Sequence, residues 1–472
     1  MRKGIPRQEG IRDGDHPGFE SRESFRRLDA YNVVRSVGTL VVRIGRRGKY
    51  PIVNFQGVHS MNRTVIPLAV LTSLPLAVFS WVRADSGRLY GRVSTEQDEI
   101  FQGTIRWDDH ETFWDDILDA TKEIDGSSDG QERRQRKEIE IFGLTISWTE
   151  TRDGDDGDRR FGIRLGRLRS IQRRSRRSAV LTLKNGTRMR VSGSGTDIGS
   201  ANRGIVIHDR DVGLVTVDWS DLEKVEFASG TVEPEAGREE WRLFGTVTIW
   251  DGTSFRGFIR WDDDECLSTD ILDGESRGED LEIPFAKVKA IERASSSSAR
   301  VELASGQTIR LRGTNDVDDG NRGIVIKVPQ LGQVTVEWED FERAEFERPP
   351  PGVLLDYDDF DAGGPLYGTV WNDDGDSWQG RVRWDDDETM TYEFLDGEMD
   401  DVDVRIEFAD IRSITRRSSR SAVVELTSGE TVTLKGTCDV NDENRGIFVE
   451  SEDDRLIRLD WYDFDRVVFD RP

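Results

Sequence analysis

The chain has little of what catalysis and nucleic-acid binding need. It holds four histidines and two cysteines among 472 residues. No Gly-x-Ser-x-Gly, His-Glu-x-x-His, phosphate-loop or Cys/His metal spacing is present. His16 and His59 lie before an apolar segment, and neither His110 nor His208 recurs elsewhere. Only ten of the 66 basic residues are lysine, and the net charge is −26. A nucleic-acid partner would need a basic footprint to displace counterions, so that class is excluded. Cys266 and Cys438 fall at different places in the repeat described next, which argues against a disulfide framework. Long helices are also missing, because no window keeps an i, i+3, i+4 apolar stripe for three turns.

What is present is repetition. Arg-Trp-Asp-Asp at 106–109 returns at 260–263 and 383–386, and Asn-Arg-Gly-Ile at 202–205 returns at 321–324 and 444–447. Such self-similarity marks a tandem array of one duplicated unit. The copies span 85–230, 240–348 and 365–472, with a polar insertion at 121–160 and a Pro-rich, acidic linker at 349–364.

Before the first copy, residues 64–82 are almost uncharged and end in Val82-Arg83-Ala84. With Met61-Asn-Arg in front, this reads as a signal peptide at 61–84, cleaved after Ala84. The alternative is an uncleaved anchor, the one case in which a membrane would be a partner. Residues 1–60 are Arg-rich and unlike the rest, as expected of a mis-assigned or disordered extension. The expected compartment is therefore periplasmic or secreted.

Each copy has two similar halves. In the second half of the first copy, 180–183, Asn185-Gly186 and 187–191 read as strand, tight turn and strand. Strands at 204–207 and 214–219, a helical turn at 220–223 and a last strand at 225–227 follow. Five short strands with a helical turn before the last resemble the small SH3-like or Sm-like β-barrel. This resemblance of pattern covers most of 88–472 and implies an all-β protein with up to six small barrels, packed in pairs. The alternative is one β-sandwich per copy. As a whole the chain resembles uncharacterised secreted repeat proteins of Gram-negative bacteria. Barrels of this kind imply no particular function.

Four recurrent features could carry chemistry. The first is the acidic turn after tryptophan, comprising Asp108, Asp109 and Glu111, then Asp262, Asp263 and Glu265, then Asp385, Asp386 and Glu388. Clustered carboxylates suit a hard cation such as Ca²⁺, although the spacing matches no EF-hand. The plainer alternative is a solvated strand end with Asp capping a turn.

The second feature is a loop with Asp197, Asn202 and Arg203, repeated as Asp316, Asn321 and Arg322, and as Asp439, Asn444 and Arg445. Asx-turns and a positive φ at Asn or Gly account for everything but the arginine. Its planar fork suits a carboxylate, supplied either by Asp221, Asp340 and Asp463 or by a partner.

The third comprises Trp107, Trp261 and Trp384 with Trp219, Trp338 and Trp461, which are core residues by default and glycan platforms if exposed. The fourth is an Arg/Ser joint at 173–177 and 416–420, which the middle copy replaces with Ala294 and four serines, so it reads as a solvated connection. The expected function is a non-catalytic scaffold or binding protein with no cofactor unless Ca²⁺, and with a protein or glycan partner. The rival is a carbohydrate-binding or carbohydrate-active protein using exposed Trp and paired acids.

Overall fold

The computed structural model describes residues 87–122, 160–193, 195–230, 239–451, 453 and 455–470, plus the backbone of short strands at 35–36, 39–44, 136–141 and 144–149. The apolar segment, the expected cleavage site at Ala84 and most of the insertion lie outside the described residues. Among the described residues the only helices are six single 3-10 turns, and none is long and apolar enough to cross a membrane. The all-β expectation holds.

The strands arise where apolar residues alternate. In Phe244–Ile249 the side chains of Val247 and Ile249 are buried, with Thr248 between them partly exposed. Asx turns join neighbouring strands. The Asp251 carboxylate accepts the Thr253 amide at 2.7 Å, and the Asn185 side chain accepts that of Thr187 at 2.9 Å. The glycine after each adopts φ near +90°, at +89° for Gly252 and +91° for Gly186.

The middle copy shows the topology. Its strands lie in the order Glu279–Pro284, Ile271–Ser276, Thr308–Arg312, Ser298–Leu303, Val288–Ser295, Phe341–Glu347, Phe244–Ile249, Ser254–Arg260, Ile324–Val328 and Gly332–Val336, every pair antiparallel. The expected pairs of closed barrels are not formed. Closure would require each half to pair back on itself. Instead five ladders cross between halves: Phe244–Ile249 with Phe341–Glu347, Ser254–Arg260 with Ile324–Val328, Ile271–Ser276 with Thr308–Arg312, and Val288–Ser295 with both Ser298–Leu303 and Phe341–Glu347. Each copy is thus one sandwich-like unit, the alternative reading of the strand pattern. The crossings need small residues. A Cβ on Gly257 would meet the Lys327 carbonyl oxygen at 2.0 Å, and Gly103 and Gly380 face His208 and Glu450 in the same way.

The copies are not beads on a string. Gly332–Val336 of the second pairs with Val402–Glu407 of the third, joining both into one 20-stranded sheet. The expected linker is docked: Tyr357 and Phe360 enter the first copy's core alongside Met390 and Tyr392 of the third. The Tyr357 hydroxyl donates to the Leu168 carbonyl at 2.9 Å, and its ring lies 4.6 Å from Trp114. Between the first and third copies, Arg167 Nε pairs with Glu407 at 2.6 Å and Arg164 with the same carboxylate at 3.1 Å. The first and second copies meet through their acidic turns and the residues that follow them. The equivalent residues Thr112 and Cys266 face each other at 3.4 Å, while Arg106 reaches Asp270 and Arg260 reaches Glu111.

Candidate functional site

The two polar motifs that are far apart in sequence meet in every copy. The Trp-Asp-Asp-x-Glu segment is a tight turn. In the second copy the Asp264 amide donates to the Trp261 carbonyl at 3.2 Å, and Trp261 and Glu265 exchange backbone bonds at 2.7 and 3.0 Å. Both central aspartates are left-handed, with φ of +47° at Asp262 and +65° at Asp263, and the same pair recurs at 108–109 and 385–386. This is the primed turn that suits twisted hairpins, and aspartate is among the few residues other than glycine to accept it. The acidic doublet is therefore first of all turn chemistry.

The first aspartate points inward onto the second motif. Asp262 Oδ1 accepts the Arg322 amide at 2.7 Å, and Oδ2 takes Arg322 Nη2 at 2.7 Å. Asp385 holds Arg445 through the same atoms, with Nη2 again at 2.7 Å. The arginine's carboxylate is thus the aspartate after the first tryptophan, and Asp221, Asp340 and Asp463 are not its partners. They lie at the turn before the last strand, where their carbonyls accept the amides of Glu96, Trp250 and Asp373 instead. Arg322 and Arg445 also bind Asp264 and Asp387, each at 2.5 Å.

The loop's other residues shape it. Asn202, Asn321 and Asn444 accept the amide two residues on, at 3.0, 3.1 and 3.0 Å, and the glycine there has φ of +116°, +118° or +123°. Asp197, Asp316 and Asp439 turn inward. Their carbonyls accept the indole N–H of Trp107, Trp261 and Trp384 at 3.1, 2.9 and 3.0 Å. Their carboxylates accept the amides of Asp119, Asp273 and Asp396 at 2.5, 2.6 and 2.7 Å.

Each copy therefore has a carboxylate nest. Asp108, Glu111 and Asp197 form it in the first; Asp262, Asp264, Glu265 and Asp316 in the second; Asp385, Asp387, Glu388 and Asp439 in the third. Asp109, Asp263 and Asp386 are not part of it. Asp109 is exposed, and the others pair with Arg260 at 2.9 Å and Arg383 at 2.6 Å. The left-handed turn explains this, since consecutive residues there point opposite ways.

Burial, followed by mutual repulsion, raises the carboxyls of Glu111, Asp197, Glu388 and Asp439 well above the usual range. The same causes push Glu265 to about 11 and Asp316 to about 7. The inner aspartates Asp197, Asp316 and Asp439 were legible only as loop formers, because nothing local to them reveals the distant turn.

The six recurrent tryptophans are buried, all 3 % exposed or less. Trp219, Trp338 and Trp461 stand edge-on to their first-half counterparts, with centroids 6.3–6.4 Å apart. A cleft of about 270 Å³ lies between the first and third copies, lined by Lys122, Glu393, Arg405 and Arg445 among others. It is smaller than the usual ligand pocket. Its cations are already engaged, Lys122 with Glu393 and Arg405 with Asp119 and Asp396. No protein-family model matches the chain, and no curated protein matches it in sequence.

Proposed function

We propose that this chain is a non-catalytic scaffold that works outside the cytoplasm once residues 61–84 are removed, its three copies locked into one rigid body for a protein or glycan partner. The observation that carries this reading is the use made of the recurrent polar residues. The arginine of each loop, the first aspartate of each turn and the indole N–H of each first-half tryptophan bind inside their own copy or at a junction between copies. Among the described residues, these duplicated groups therefore serve the internal architecture of the array.

The glycan reading has a narrower basis, in the exposed Trp250 and Tyr462, which are 56 % and 61 % exposed. Affinity electrophoresis and hydrolysis assays of the purified secreted protein against a polysaccharide panel distinguish the two. The scaffold reading expects neither retardation nor product. Saturable retardation lost in Trp250→Ala, or any turnover, would replace it. Intact mass of the exported protein tests the location, with a mature chain beginning at Asp85 expected.

A further inference from the structure

The junction between the second and third copies is a template with two unused halves. It forms where a late strand of one copy, Gly332–Val336, pairs with an early strand of the next, Val402–Glu407. Gln333 lies opposite Arg405, Val334 opposite Val404 and Thr335 opposite Asp403. Its centre is dry, with Val334 0 % exposed and Val404 1 %. The equivalent strands at the two outer ends are Glu279–Pro284, early in the second copy, and Leu456–Leu459, late in the third. Among the described residues each pairs on one side only, with Ile271–Ser276 and Ile447–Ser451. The first copy's edges are taken. Arg160–Arg164 packs on the third copy, and Gly213–Val217 pairs with Thr39–Ile44. A bare edge is a row of unpaired backbone groups and invites another strand.

Aligning the copies sets the register in which the two open edges would meet. Ile457 stands for Val334 and Leu281 for Val404, both half-buried where their counterparts are buried. Facing each other, they would complete the same apolar centre. Arg458 stands for Thr335 and Asp280 for Asp403, which sets opposite charges across the ladder, a favourable cross-strand pair. Leu456, 57 % exposed, stands for Gln333 and meets the stem of Glu282, which stands for Arg405. Pro284 has no N–H to offer, but its counterpart Glu407 lies outside the three paired positions. One exchange is adverse. A Cβ on Gly332 would meet the Arg405 carbonyl oxygen at 2.3 Å, and Arg455 stands in its place.

We propose that Leu456–Leu459 of one chain pairs antiparallel with Glu279–Pro284 of a second copy of this chain. The contact repeats between molecules the junction that already joins the second and third copies within one. Two different edges meet, so association runs head to tail and extends into a row or closes into a ring. The proposal goes beyond the scaffold reading and depends on neither its outside partner nor its location, so each can fail alone.

Sedimentation velocity of the purified protein over a concentration series tests this. It is run at about 0.15 M salt, where repulsion between these acidic chains is screened beyond about 8 Å. A ladder this short is a weak interface, so the weight-average mass should rise from one chain at about 1 µM to two or more at about 100 µM. Arg458, Asp280 and Arg455 are all exposed, so substitutions there leave the fold intact. Arg458→Glu and Asp280→Arg should each weaken association at least about tenfold, because like charges then face each other. Joining both reversals in one chain restores the pair and should return association to within about threefold of the parent. Arg455→Gly, which recreates the close approach of Gly332, should strengthen it. A single chain at every concentration overturns the proposal. So does association that the double reversal fails to restore. Association lost in Asp280→Arg but kept in Arg458→Glu would assign the junction to another strand, such as Gly213–Val217, and overturn this pairing.

Discussion

Replacing Asp316 with asparagine should stabilise the protein, and more so as pH rises. The side chain is 4 % exposed and accepts the Asp273 amide at 2.6 Å, a bond that the asparagine carbonyl can keep. Burial first, then Asp262, Asp273 and Asp264, push its carboxyl from 3.8 to about 7. An acid raised in this way is protonated in the folded chain while the unfolded chain is already ionised. Its contribution is therefore complete below about pH 4 and lost as pH rises through about 7. A shift of roughly three pK units sets a ceiling of about 4 kcal/mol on that loss, of which about 3 kcal/mol falls between pH 5 and pH 8. Asparagine does not titrate, so its advantage over the parent should widen across that interval. Calorimetric midpoints of both proteins at pH 5 and pH 8, at fixed ionic strength, measure this. A gap that stays constant, or a parent that gains on the variant as pH rises, would show Asp316 ionised and satisfied in the folded state and refute the reasoning.

Three further outcomes follow from the same contacts. Arg445→Ala should lower stability by about 2–3 kcal/mol, because it strands the fully buried Asp385, and Arg445→Lys should recover only part, lacking the planar fork; thermal midpoints check both. Glu407→Gln should loosen the junction of the first and third copies, seen as faster hydrogen exchange at 161–168, since Arg164 and Arg167 both lose their shared buried partner and keep the more exposed Asp410 and Asp361. Cys266, buried at the junction of the first and second copies with its thiol pushed up to about 12 by burial, should resist iodoacetamide at pH 8 in the folded chain and react on unfolding, as followed by intact mass.

Local chemistry was the legible part of this sequence. Alternation placed the strands, Asn185-Gly186 and Asp251-Gly252 placed their turns, and the Asn-x-Gly steps at 202–204, 321–323 and 444–446 gave shaped loops. Which strand pairs with which was not legible, because the two halves carry nearly the same alternation and either partner buries the same face. The decisive clue was present in Gly103, Gly257 and Gly380, whose missing Cβ admits the crossing strand. The acidic turns and the Asn-Arg-Gly loops were both visible, yet their union was not. Residues 262 and 322 are brought together by the ladder between Ser254–Arg260 and Ile324–Val328, a contact set by topology and not by spacing. The divergence at His110 could be read by aligning the copies, but not that Arg203 reaches its imidazole as Arg322 and Arg445 reach Asp264 and Asp387.

The most direct test of a single rigid scaffold is differential scanning calorimetry of the full chain. A shared 20-stranded sheet, a linker seated in the first copy's core, and the Arg167–Glu407 and Arg242–Asp115 pairs at the other two junctions should make the three copies unfold together. The account predicts one transition, with calorimetric and van't Hoff enthalpies that agree. Two or three resolved transitions, each with the enthalpy of a single copy, would contradict it and make this chain a string of independent domains.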